Sequence, residues 1–139
     1  SKYNAQIFSG ADLYATDVDI YALCALGSTI NDETIEKLKA KVIAGAANNQ
    51  LAVESVHGKR LLERGIVYAP DFLINAGGII NVFGEIAKYD SAEAIRRTEN
   101  IYNTTLDILN YAKEQNLTTN QAAMKIAEQR IEAKKNEKK

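Results

Sequence analysis

The amides that could do chemistry in this protein lie in two short segments. They are Val42-Ile-Ala-Gly-Ala-Ala-Asn-Asn-Gln-Leu51 and Asp71-Phe-Leu-Ile-Asn-Ala-Gly-Gly-Ile-Ile-Asn-Val82. Each is an apolar run that breaks into small residues and amides at its end, which is how a buried parallel strand delivers polar groups to a cleft. Asparagine offers both a donor and an acceptor, and alanine or glycine lets backbone approach a flat ligand closely. Ala46-Ala-Asn-Asn49 and Asn75-Ala-Gly-Gly78 therefore suit a planar, hydrogen-bonding ligand. A purely structural reading stands beside that one: Asn48 and Asn49 form an Asx-type turn, and Gly77-Gly78 relieves crowding inside a helix. The glycine pair weighs against it. Two adjacent glycines within a helix over residues 73–87 cost about 1 kcal/mol each relative to alanine, and close approach to a ligand or a neighbouring helix would offset the loss.

The elements that must position these residues are legible in outline. Residues 18–23 read as a short strand and 27–31 as the loop after it. Asn31 or Asp32 can cap a helix running to about residue 39, with Asp32 and Glu33 favourably placed near its N-terminus. Residues 41–45 form a buried strand, and 46–50 the polar loop at its carboxyl end. A helix over 54–64 stops at Gly65, a C′ residue, before a strand at 66–69, and Pro70 turns the chain into another helix. Strands alternating with helices at this spacing give parallel βαβ units, and right-handed crossovers bring the three strand ends out along one edge of the sheet.

After Asp90 no strand pattern remains, and two long helices fill the rest. The first, starting at Asp90 or Ser91, repeats Ile95, Thr98, Ile101, Tyr102, Thr105, Ile108, Leu109 and Ala112 at helical spacing. The second carries a thinner stripe of Ala123, Ile126, Ala127 and Ile131 behind a capping box at Thr118 and Gln121. The last six residues, 134–139, read as a solvated, frayed end. Residues 1–8 alternate like a strand but begin in mid-pattern, without methionine, as in a piece cut from a larger protein.

Composition narrows the function classes. The sequence has 139 residues, 46% apolar and 25% charged, which is enough for one soluble globular core. A net charge of −1 and a pI near 5.9 give no electrostatic reason to bind nucleic acid or a membrane. One cysteine, no signal peptide and no long apolar span fit a reducing, cytoplasmic setting. Cys24 reads as a small buried apolar residue rather than a nucleophile, and His57, in a polar helical stretch, as a surface histidine. No second ligand points to a metal site.

The Asp19-Ile-Tyr-Ala-Leu-Cys-Ala-Leu-Gly27 stretch joins the two amide segments in an order that resembles the amino-acid dehydrogenase family acting on glutamate, leucine, phenylalanine and valine. The resemblance includes Gly65-Ile-Val-Tyr-Ala-Pro-Asp71, runs through almost the whole sequence, and is nearest to the leucine branch. It implies an α/β fold: part of a Rossmann-like, doubly wound parallel sheet in three layers, followed by two long C-terminal helices. Residues 1–90 would be the second half of a dinucleotide-binding domain, and 91–139 a helical segment packed on it.

What the resemblance implies for the site can be stated residue by residue. Asn48, with its neighbour Asn49, matches the asparagine on the nicotinamide side of the cofactor, and Asn75 the asparagine beside both nicotinamide and substrate. Cys24 and Ala25 match the loop whose backbone follows the cofactor ribose. Ile79 and Val82, one helical turn apart, match two positions lining the substrate side-chain pocket. Glutamate-specific relatives carry serine at the position of Val82, suited to a carboxylate, so two apolar residues here imply a branched aliphatic substrate. One departure stands out, because the family usually has proline at the position of Leu23.

No GxGxxG phosphate loop occurs in these residues. The resemblance implies that the catalytic lysine and aspartate lie in a separate substrate domain, so no catalytic residue is assigned here. The expected whole is an NAD-dependent enzyme, with NADP left open. It would deaminate an L-amino acid oxidatively and reversibly to a 2-oxo acid and ammonia, as a homo-oligomer whose N-terminal part is missing here. The alternative is a non-catalytic half-domain that docks to a complementary partner, a reading that the missing phosphate loop suits equally well.

Overall fold

A computed structural model describes residues 2–3, 5–8, 10 and 12–137. The element order is α1 (Asp12–Ala15), β1 (Ile20–Tyr21), a 3₁₀ turn (Ile35–Lys37), β2 (Val42–Ile43), α2 (Glu54–Glu63), β3 (Val67–Tyr68), α3 (Asp71–Ile74), α4 (Gly77–Ala87), α5 (Ser91–Glu99), α6 (Ile101–Gln115) and α7 (Thr119–Asn136). The three strands form one parallel sheet in the order β1-β2-β3, with Ile20 opposite Val42 and Val42 opposite Val67. This is the α/β architecture expected from the alternation of strands and helices.

The ladder is short, yet its hydrogen bonds run beyond the named strands. Val42 N–H donates to Asp19 C=O, Ala44 N–H to Tyr21 C=O, and Ala69 N–H to Ile43 C=O. A further parallel bridge pairs Ile30 with Leu51. The core lies between this sheet and α2, where Ile30, Ile35 and Ile43 are wholly buried beside Leu61 and Tyr68. A second cluster of Leu73, Ile108, Ala112, Ala122 and Ala123 ties α3 to α6 and α7.

Local chemistry explains most boundaries. Helix α2 ends in a Schellman motif: Gly65, at φ 68°, donates to Leu62 C=O, and Ile66 N–H reaches Leu61 C=O at 2.9 Å. Leu61 and Ile66, the apolar pair that accompanies this motif, both sit in the core. Asp90 caps α5 by accepting the Glu93 N–H, and Thr118 and Gln121 complete the expected capping box on α7.

Several expectations are corrected. Residues 5–8 form no strand; Ile7 is 99% exposed, and alternation without a neighbouring edge to pair with does not hold a strand. The rest of that expectation rests partly on Ser1 and Asn4, which lie outside the described residues. Asn31 does cap the segment after β1, its Oδ1 accepting from Glu33 and Thr34 N–H. Only a 3₁₀ turn follows, however, because buried Leu38 turns extended to enter β2. The stretch read as one long helix after Asp90 breaks at Asn100 into α5 and α6. Helix α7 runs on to Asn136, so the expected fraying does not begin at Lys134; Lys138 and Lys139 lie outside the described residues.

His57 is buried, not on the surface, with 2% of its area exposed. Its Nδ1 accepts the Val53 N–H one turn back at 2.9 Å, while Nε2 lies 3.5 Å from Asp32, which also takes Arg60 at 2.7 Å. The ring thus caps the first turn of its own helix, which a polar sequence context does not reveal.

Two glycines let the loops that follow β1 and β2 cross with no side chain in the gap. A Cβ on Gly45 would overlap the Leu23 backbone, and one on Gly27 would lie 2.5 Å from the Asn48 carbonyl oxygen. Both neighbours are backbone and cannot rotate aside. Gly45→Ala should therefore lower stability by about 1–3 kcal/mol or more, read as a shift in the urea midpoint. Gly78→Ala, where a Cβ would meet nothing within 4 Å, should stay within about 1 kcal/mol of wild type on the stabilising side.

Candidate functional site

The loops after β1, β2 and β3 converge at the carboxyl end of the sheet, and all the residues singled out from sequence lie on them or on α4. The β2 loop is fastened from three sides. Ala47 N–H donates to Leu23 C=O at 2.9 Å, and Asn49 C=O accepts Ser28 N–H at 2.7 Å, joining it to the β1 loop. From within, fully buried Gln50 donates through Nε2 to Gly45 C=O at 2.7 Å and Ala47 C=O at 3.0 Å. From the third side, the Asp71 carboxylate at the start of α3 accepts the Asn49 N–H.

This fastening holds Asn49 at φ 52°, a left-handed conformation that asparagine tolerates better than most residues. Asn48 then projects to the surface, where its Oδ1 accepts from Asn75 Nδ2 at 2.5 Å; Asn75 Nδ2 also approaches Ala46 C=O at 3.3 Å. Two asparagines predicted from sequence, 27 positions apart, are thus side by side. Among the described residues the Asn48 Nδ2 and the Asn75 Oδ1 have no partner, so the pair presents one free donor group and one free acceptor. That pattern complements a primary carboxamide, whose own N–H and C=O are the reverse set.

The break after α3 changes what the two glycines mean. The helix expected over 73–87 is interrupted at Asn75-Ala76, and Gly77-Gly78 open α4 instead of lying in a helix interior. At a first turn their cost is small, and their missing side chains leave the helix end beside Asn75 uncovered. Along α4, Ile79, Val82 and Ile86 are 72%, 58% and 74% exposed, with Phe83 half-exposed beside them. Among the described residues this stripe packs into neither core cluster.

Cys24 and Ala25 lie on the β1 loop, and both are exposed. The expectation of a buried Cys24 fails because the backbone leaves the sheet at Leu23, whose side chain occupies the core in its place. Sequence reasoning missed Gln50 and Asp71 as organisers, although both stand inside the quoted segments. Asp71 directly after Pro70, at a helix start, was the available signal. Tyr68, behind this loop, has its phenol raised above its ordinary value by burial, with the nearby Asp71 charge adding to the shift.

The Glutamate/Leucine/Phenylalanine/Valine dehydrogenase family profile matches residues 1–138. The L-tryptophan dehydrogenase of Nostoc punctiforme is 48% identical over 136 residues, which is 98% of this sequence and 38% of that protein. The leucine dehydrogenase of Bacillus cereus is 49% identical over 135 residues, covering 97% of this sequence and 37% of the relative. The crystal structure of the Nostoc punctiforme L-tryptophan dehydrogenase superposes with a TM-score of 0.93, over 96% of the present residues and 40% of that structure. The chain thus spans a little over a third of the length of these relatives.

The buried amide of Gln50 supplies a direct test of the loop's construction. Gln50→Ala strands two buried carbonyls and opens a cavity, so stability should fall by about 2–4 kcal/mol. Denaturant unfolding measures it, and a loss under about 0.5 kcal/mol would mean that the loop is held without Gln50.

Proposed function

We propose that this chain, which belongs to the Glutamate/Leucine/Phenylalanine/Valine dehydrogenase family, forms the nicotinamide wall and part of the substrate side-chain pocket of an NAD-dependent amino-acid dehydrogenase. The reaction of the whole protein is the reversible oxidative deamination of a branched-chain L-amino acid, leucine foremost, to a 2-oxo acid and ammonia. The observation that carries this reading is the Asn48–Asn75 pair, whose free donor and acceptor fit a carboxamide at the carboxyl end of a parallel sheet. In this reading residues 1–90 are the second half of the cofactor domain and 91–139 a helical segment packed on it.

The residues present fit the nicotinamide group. Asn48 would supply a donor and Asn75 an acceptor to its carboxamide, and Asn49 holds Asn48 in place through the backbone. Cys24 and Ala25 border the ribose side. The cofactor, when bound, accepts hydride from the substrate α-carbon. The contribution of these residues is to orient the ring and exclude water from one face, while Ile79 and Val82 receive the substrate side chain. They supply no acid or base for the proton steps, so those belong to residues elsewhere in the full-length protein. The same division makes the active protein a larger one, and a homo-oligomer in our reading.

Aliphatic specificity rests on Ile79 and Val82, because a branched hydrocarbon gains contact there and a carboxylate finds no hydrogen-bond partner. The pair speaks against an acidic substrate; the relatives' names span leucine and tryptophan, and the choice of an aliphatic over an aromatic substrate follows the leucine-like resemblance of the sequence. In the full-length protein Val82→Ser should lower kcat/KM for leucine by about 10–200-fold and leave cofactor affinity nearly unchanged. A lowered melting temperature with an unchanged preference among leucine, tryptophan and glutamate would overturn the pocket assignment.

The 139 residues alone should reduce no NAD above blank with leucine, valine or isoleucine, as followed by absorbance of NADH. Turnover by the pure 139-residue protein that disappears in Asn48→Ala would overturn the division of labour proposed here.

A further inference from the structure

Asp71 touches both of the asparagines' loops at once. Its carboxylate accepts the Asn49 N–H, 22 positions earlier in sequence, and its backbone carbonyl accepts the Asn75 N–H at 2.9 Å. The residue is 8% exposed, and α3, which begins at Asp71, is a single turn that ends where Asn75 begins. Asn48 therefore sits one residue before one of these bonds, and Asn75 lies at the end of the other. Without the carboxylate, the Asn49 N–H loses its acceptor, and only the Ser28 bond to the Asn49 carbonyl remains on that residue to keep φ at 52°. A left-handed non-glycine residue relaxes readily when its flanking bonds are lost.

We infer that Asp71 is a positioning residue for cofactor recognition, setting the distance between the Asn48 and Asn75 side chains by bonding the backbone of both loops. This rests on the reading of Asn48 and Asn75 as the carboxamide contacts. Asp71 touches neither cofactor nor substrate; it acts through Asn49 and Asn75. A charged acceptor suits the task, since a carboxylate bonded to a backbone N–H is a stronger and shorter restraint than a neutral acceptor. Burial protects that bond from competition with water. Pro70 immediately before it presets the backbone at the start of α3, so the carboxylate projects from a fixed base.

The test uses the full-length protein, with NADH as the binding probe followed by its own fluorescence, and with NAD in initial-rate measurements of turnover. Asp71→Ala should raise the Kd for NADH and the KM for NAD at least tenfold while the KM for leucine stays within about twofold. Asp71→Asn, which retains an oxygen acceptor, should recover most of the lost affinity. Asn48→Ala serves as the reference for the underlying reading. If Asn48→Ala leaves NAD affinity intact, the carboxamide reading fails, whatever Asp71 does. If Asn48→Ala weakens NAD but Asp71→Ala lowers only the melting temperature, with NAD affinity at the wild-type value, Asp71 is structural and the inference is overturned. Equal losses in Asp71→Ala and Asp71→Asn would also overturn it, because the acceptor would then not be what matters.

Discussion

The whole site depends on two places where one backbone passes another with no room for a side chain. Gly45 lies against Leu23, and Gly27 against Asn48 and Asn49. These contacts bring loops that follow different strands within backbone hydrogen-bonding distance, so that Ala47 bonds Leu23 and Ser28 bonds Asn49. Once the loops are locked through their backbones, their side chains are free to face outward. Burial of Gln50 and Asp71 then fills the space beneath, and Asn48 and Asn75 take their geometry from the backbone bonds below them.

That arrangement explains which features could be read from sequence. The Gly65 stop, the Asp90 cap and the Thr118 box are each set by interactions within a few residues, and each appears as expected; the three strands, whose ladder joins distant segments, showed as short apolar runs. The convergence of Asn48 and Asn75 also followed from topology, since parallel strands joined by right-handed crossovers deliver their ends to one edge. The fold was therefore legible wherever local chemistry or handedness decides.

What escaped was set by partners distant in sequence. His57 looks solvent-facing among charged neighbours, but it is buried, with the Val53 N–H on its Nδ1 and Asp32 beside its Nε2. Asp71 looks like an ordinary first-turn acid, but its partner is the Asn49 N–H. The break at Asn75-Ala76 shows the same limit: helical periodicity continues through it, while the bond from Asn75 Nδ2 to Asn48 holds the turn from outside. The relatives named for tryptophan and leucine share nearly half of their residues with this protein over the matched region.

The crossing at Leu23 also bears on which residues that position can hold. Its carbonyl accepts from Ala47, but among the described residues its N–H has no partner. A residue whose amide hydrogen does nothing is open to exchange with proline, the residue that the family pattern carries there. Leucine instead places a buried side chain into the core beneath the loop. Leu23 thereby ties the bend to the core from below, while Asn48 above it stays on the surface.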